Sequence, residues 1–162
     1  MREFYGTLPW TKSCFVCGEQ NPHGLHLKSW VEGRVVRLRY TTRESDVGYR
    51  HLVHGGILVT LLDEVMTWAA IISQGRMCVA AEMTTRLKHP VEVDCDLSVA
   101  AWPEKVSKRL AVIQAEARDT QKNLLVSAQG KYMPVPPSQF SLAAKDFVFD
   151  ENSIQPSELF KD

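Results

Sequence analysis

His54-Gly55-Gly56-Ile57-Leu58-Val59-Thr60-Leu61-Leu62-Asp63-Glu64 decides how this chain is read. Two glycines open a long apolar run, and an acidic pair interrupts it two turns in. The spacing predicts a helix from about residue 55 to 73, stopped by Gly75. A helix start offers free backbone N–H groups and a partial positive charge. Glycine there lets a ligand oxygen approach the backbone. With Asp63 at zero on the helical wheel, Leu58, Leu61, Leu62, Val65, Ala69 and Ile72 fall on the opposite, core-facing side. Thr60 and Thr67 share the Asp63 side, and Val59, Met66 and Ala70 flank it. Geometry alone leaves two readings open. Asp63 and Glu64 are either the wet face of an amphipathic helix or a functional carboxylate pair in an otherwise buried helix.

Outward from this run, residues 25–31 and 34–41 read as strands joined by a turn at Glu32-Gly33. Residues 42–53 read as a loop into the helix. Residues 78–88 alternate Glu82, Thr84, Arg86 and Lys88 with Val79, Ala81, Met83 and Leu87, until His89-Pro90 breaks the run. Residues 96–102, 109–119 and 123–133 read as further strands. One long helix with an antiparallel sheet as its main partner implies an α+β fold in which the helix lies on a curved sheet. A second copy of the chain is the simplest cover for what remains of the helix. Residues 1–13 read as an N-terminal extension, 14–134 as the domain and 135–162 as a polar tail with one short helix.

Composition narrows the function. The 162 residues carry 19 basic and 19 acidic side chains, so the net charge is zero. No basic excess exists to neutralise phosphates, which argues against nucleic-acid binding. The apolar stretch 57–72 is shorter than the roughly 20 residues that span a bilayer, and two acids interrupt it. Residues 1–12 lack the apolar core of a signal peptide. A cytoplasmic protein with reduced cysteines is expected.

Cys14-x2-Cys17 followed by His23-x2-His26 has the ligand types of a zinc site, at a spacing tighter than common fingers. It is read here as a packed turn with buried thiols and no metal. Arg86, Lys88 and His89 read as a solvated strand face, with the phosphates of coenzyme A as the sharper alternative. Met66 and Trp68 read as packing residues. Cys78 and Cys95 have no base in an evident motif and are not read as nucleophiles.

The motif His54-Gly55-Gly56, with Asp63 nine positions after the histidine, resembles the hotdog-fold acyl-CoA thioesterases. The likeness is to the phenylacetate-pathway (PaaI-like) and 4-hydroxybenzoyl-CoA types. Cys14-Phe-Val-Cys-Gly followed by Asn21-Pro22-His-Gly24-Leu25 resembles the N-terminal signature of one branch. Leu62-Asp63-Glu64 and Ala81-Glu82-Met83…Pro90-Val91 also fit. The resemblance implies a helix wrapped by an antiparallel sheet, dimers that pair into tetramers, and acyl-CoA sites built from two chains. It implies no cofactor beyond the coenzyme A of the substrate. Gly55, with Gly56, would polarise the thioester carbonyl. Asp63 would act as base or nucleophile, and His54 would shape the oxyanion side. Asn21-Pro22-His23-Gly24 reads as a structural turn, with Asn21 and Gly24 lining the acyl pocket as the sharper alternative.

The chain departs from the family pattern at two positions. Gly48 stands where relatives carry Asn or Gln, and Ala80 where they carry Ser or Thr. Arg50, His51, Thr84 or Glu64 are the candidates to compensate. The departures motivate a second reading, a non-catalytic acyl-CoA binder. A hydratase-type hotdog ranks last, because Asp46 and His51 lack its spacing.

Overall fold

The computed structural model describes residues 2–136, 138–140 and 144–160. Helix α1 (Gly55–Gln74) ends one residue beyond the expected stop. Gly75 closes it in the left-handed region at φ 65°, with its N–H on the Ile71 carbonyl at 2.8 Å. Only glycine adopts that conformation without strain. The predicted core positions Leu58, Leu61, Leu62, Val65, Ala69 and Ile72 are all buried. So are Met66, Trp68, Ala70 and Ile71, so burial spreads around the C-terminal half of the helix. At 20 residues α1 is long and apolar enough to cross a membrane by composition. Its burial makes it the core helix of this fold.

The helix is wrapped by a seven-stranded sheet in the order β1-β3-β4-β8-β9-β10-β7. The strands are β1 (Phe4–Thr7), β3 (Trp30–Gly33), β4 (Val35–Thr41), β7 (Cys78–Leu87), β8 (Asp96–Val106), β9 (Ala111–Arg118) and β10 (Leu124–Pro134). Every neighbouring pair is antiparallel. This is the α+β hotdog fold. Residues 25–29, expected to be strand, are not. They run beside the Cys14–Gly18 turn through bonds from Leu25 N–H to the Phe15 carbonyl and Leu27 N–H to the Val16 carbonyl, both 2.8 Å.

The segment expected to be a plain loop is ordered. A 3₁₀ turn (Glu44–Asp46) leads into a hairpin of β5 (Val47–Tyr49) and β6 (Leu52–Val53). Buried Asp46 holds it. Its carboxylate accepts from the Tyr40 hydroxyl and from the Arg43 backbone N–H at 2.8 Å, and the Arg43 guanidinium lies at 3.2 Å. Its backbone carbonyl accepts the His54 N–H at 2.8 Å. Burial pushes the Asp46 carboxyl up, but the Tyr40 and Arg43 hydrogen bonds outweigh burial and hold it below its ordinary 3.8. A depressed carboxylate stabilises the fold above the unfolded-state value and loses that contribution as pH falls through the folded value. Asp46→Asn is therefore expected to lower stability by about 2 kcal/mol at neutral pH. The gap from wild type should close below the ordinary Asp range. Urea unfolding at several pH values measures it, and a gap independent of pH would contradict the carboxylate's role.

The segments outside 14–134 belong to the same body. Strand β1 extends the main sheet, and Leu8 is buried. The tail returns as β11 (Phe147–Val148), which pairs with β2 (Trp10–Thr11). A bridge joins Thr7 to Ser153, and the short helix α2 (Pro156–Leu159) follows. Ile154 and Leu159 are core residues. Phe147 packs edge-on against Trp68 of α1 at 6.0 Å and stacks on Phe149 at 5.7 Å. Part of the helix surface assigned to a second copy is thus covered by the chain's own tail. The tail carries no strand or helix period, so its apolar residues give no local signal of docking.

Candidate active site

The start of α1 is built around His54. This residue caps the helix from an extended conformation, φ −62° and ψ 129°. Its Nδ1 accepts the Gly56 N–H at 2.9 Å. An N–H can only donate, so Nδ1 carries no proton and the neutral ring keeps its proton on Nε2. Two glycines make room for the ring. A Cβ at Gly56 would lie 2.9 Å from Nδ1, and one at Gly48 would lie 3.0 Å from the His54 Cα, Cβ and Cδ2. With Gly56 engaged, the first helical N–H, that of Gly55, is left without a hydrogen-bond partner among the described residues. Gly55 lines a cavity of about 640 Å³ with Leu52, Leu58, Leu87 and Val91 as apolar wall and Lys88 and His89 beside them.

Asp63 lies eight residues further along α1, about 12 Å by helical rise. No single thioester carbonyl within one chain can touch both Gly55 N–H and the Asp63 carboxylate. Asp63 is partly exposed and accepts a hydrogen bond from the Tyr132 hydroxyl at 2.7 Å. Tyr132 is wholly buried on β10. Burial, then the Asp63 charge, push its hydroxyl well up, so it remains a donor at neutral pH. Gly130 permits this placement, since a Cβ there would sit 2.5 Å from the Tyr132 ring. Tyr132 is absent from the sequence reading. The available signal was a tyrosine at an inward strand position, whose hydroxyl must find a partner.

Strand β7 ends the sheet, with a neighbour on one side only. Its alternation holds from Glu82 to Leu87 and is broken by a bulge at Ala81, and its burial is not that of a covered strand. Val79 and Leu87 are 53% and 54% exposed. Leu87 reaches Gly55 at the helix start and so lies on the helix side of the sheet, whereas the register shift opposite Lys131 and Tyr132 puts Val79, paired with Met133, on the outer face. Thr84 and Arg86 are exposed on the outer face, Ala80 pairs with inward-facing Tyr132, and none of the three lines the Gly55 cavity.

With this geometry the comparisons can be read. The thioesterase superfamily profile matches residues 51–126, from the α1 approach into β10. The match spans α1 and the strands β7, β8 and β9 that follow it. Among solved structures, it resembles the E. coli PaaI protein from the phenylacetic acid degradation operon at 23% identity and TM-score 0.61. That match covers 68% of this chain and 78% of the other. A thioesterase from Haemophilus influenzae matches at 16% identity and TM-score 0.65, over 74% and 85% of the two chains. A hypothetical thioesterase from Streptococcus pneumoniae TIGR4, solved with coenzyme A, matches at 18% identity and TM-score 0.58, over 62% and 78%. At these identities the structural likeness speaks for the fold. No curated protein matches the chain in sequence.

The remaining expected site residues lie elsewhere. The Asn21 side chain accepts the His23 N–H at 3.0 Å and donates to the Ser13 carbonyl at 3.2 Å, which makes a local turn. A Cβ on Gly24 would press on the Phe15 and Asn21 carbonyls at 3.0 and 3.1 Å. Neither residue lines the Gly55 cavity. His26 Nε2 contacts the Asn21 carbonyl at 2.7 Å, so that histidine serves the same turn.

Glu64, the other half of the acidic pair, turns away from Asp63's partner. Its carboxyl accepts from the Trp68 indole at 3.1 Å and sits with the Cys14 and Cys17 thiols. Burial, then the charge on Cys14, push it up to about 7. Cys14 is drawn down to about 5 by a hydrogen bond from the Cys17 thiol and by backbone N–H donors. Burial pushes Cys78 up to about 12 and Cys95 upward as well, so neither is poised as a thiolate nucleophile.

Proposed function

We propose that this chain is an acyl-CoA thioesterase of the PaaI-like type, hydrolysing a thioester to a carboxylic acid and free coenzyme A. The observation that carries the reading is the unpartnered Gly55 N–H on the wall of an apolar cavity. An acyl chain seated there would bring its carbonyl oxygen to the Gly55 N–H and the positive end of the helix. His54, with its proton on Nε2, offers a second donor. Both stabilise negative charge as it develops on that oxygen.

Asp63 of a second copy supplies the carboxylate. It takes the proton from the attacking water, or adds to the carbonyl itself to give an anhydride that water then opens. In either route a C–O bond forms, the C–S bond breaks, and the proton ends on the coenzyme A sulfur. Tyr132 keeps the carboxylate oriented. The free edge of β7 and the exposed Val79 and Leu87 beside it are the surface we assign to the second copy. The free thiols fit a reducing compartment such as the cytoplasm.

Release of free thiol from a panel of acyl-CoAs, short, long and aryl, tests the reading. Turnover on at least one class supports it and names the acyl group. Tight binding with no thiol release from any member would sink the enzyme and leave the acyl-CoA binder suggested by Gly48 and Ala80.

A further inference from the structure

Two thiols and a carboxyl meet beside α1. The ligand atoms of Cys14, Cys17 and Glu64 all lie within 4.8 Å of one another. They come from distant parts of the chain, a Cys-x2-Cys turn and the core helix. That convergence brings three potential ligand atoms within reach of a single ion.

The turn has the geometry of a thiolate ligand loop. Cys14 Sγ accepts the backbone N–H groups of Val16 at 3.3 Å and Cys17 at 3.4 Å. Gly18 N–H closes the loop on the Cys14 carbonyl at 2.9 Å. A Cβ at Gly18 would lie 2.5 Å from Cys14 N, Cys14 O and Lys12 O, so only glycine permits the closure. N–H donors on sulfur favour the ionised, metal-binding form. The Trp68 indole fixes the Glu64 carboxyl, as outer hydrogen bonds commonly fix ligands.

The surroundings point to a cation. The group opens on a cavity of about 300 Å³ whose wall includes Ile71, Met77 and Phe147. Among the described residues no Lys, Arg or His lines it, while Asp146 does. A site with soft thiolates, one carboxylate and no internal counter-charge suits zinc-class ions. We infer that Cys14, Cys17 and Glu64 bind one thiophilic divalent cation of the zinc class, with the remaining coordination position facing the cavity. The histidines suggested by spacing, His23 and His26, are not ligands. Sequence spacing looks along the chain, and the third ligand lies 47 residues beyond Cys17 on another element.

The test is cobalt titration of the reduced, chelator-stripped full-length chain, followed by displacement with zinc. A thiolate-to-cobalt charge-transfer band saturating at about one ion per chain, and removed by zinc, is the expected result. Cys14→Ser and Cys17→Ser should each weaken that band. Glu64→Gln should weaken binding by more than about tenfold, and His23→Ala and His26→Ala should leave it unchanged. Circular dichroism of each variant confirms that it is folded. Absence of the band in the reduced wild type would overturn the site without reference to any variant. Unchanged affinity in folded Glu64→Gln, or loss in the histidine variants, would overturn the ligand set. The readout needs no acyl-CoA, so its outcome is separate from that of the thioesterase reading.

Discussion

Asp63→Asn is expected to lower acyl-CoA turnover by about two orders of magnitude or more, with KM changed only a few-fold. Asparagine keeps the shape of aspartate and one carbonyl oxygen, so it still accepts the Tyr132 hydroxyl and the helix is undisturbed. What it loses is the ability to take a proton or form an anhydride. Tyr132→Phe separates positioning from chemistry. It leaves the carboxylate but frees its rotamer, and a loss of about tenfold in kcat with little change in KM is expected. Steady-state kinetics on the acyl-CoA preferred by wild type measures both. An Asp63→Asn protein that retains more than half of wild-type kcat would remove Asp63 from the mechanism. A Tyr132→Phe loss confined to KM would make Tyr132 a binding residue instead.

The same structure explains why a departure from the family pattern at residue 48 has a local cause. The resemblance implies an Asn or Gln where this chain has Gly48. Here the His54 ring and backbone occupy the space such a side chain would start from, 3.0 Å from a Cβ. The β5–β6 hairpin closes on His54 because Asp46 accepts its N–H, and Gly48 lets it close. Cap, hairpin and glycine form one arrangement, in which the His54 side chain stands at the cavity wall beside Gly48 and Gly55. Gly48 therefore fits a site organised around His54.

The parts of the fold that were legible are those set by local periodicity. The α1 start, its Gly75 stop and its inward positions follow from a 3.6-residue repeat and glycine chemistry. Strands β7 to β10 follow from alternation, within a few residues at each end. The hidden features all depend on pairing between distant segments. Tyr132 meets Asp63 across 69 residues. The knuckle of Cys14 and Cys17 meets Glu64 only after the helix is docked. The tail's Phe147 meets Trp68, and Ile154 and Leu159 enter the core, although nothing in residues 138–162 repeats with a structural period. Alternation in β7 from Glu82 to Leu87 was legible, but its exposure was not, because a pattern of apolar residues says which face is meant for burial and not what covers it. The acidic pair shows the limit most sharply. Neighbouring residues on a helix diverge by about 100°, so Asp63 and Glu64 serve different neighbours.

Gly55→Pro is expected to reduce kcat by about 10² to 10³ without unfolding the chain, because it removes the backbone donor assigned to the oxyanion. Proline is suited to this first helical position, where no internal hydrogen bond is lost. The residue before proline must be extended, and His54 already is, at φ −62° and ψ 129°. A Cβ would meet only the terminal methyl of Leu87, at 2.8 Å, which can rotate away. Far-ultraviolet circular dichroism should match wild type. The decisive step is to mix this inactive chain with inactive Asp63→Asn after subunit exchange. If each site takes Gly55 from one copy and Asp63 from the other, a mixed dimer holds one intact site and one doubly damaged site. Random pairing makes half of the dimers mixed, so activity should return to about a quarter of wild type. If both groups served a carbonyl within one chain, every site would keep one lesion and the mixture would stay inactive. The roughly 12 Å of helix between the two residues argues for the first outcome. A charged residue at Val79, which lies outside the Gly55 cavity, should abolish the rescue by keeping the copies apart.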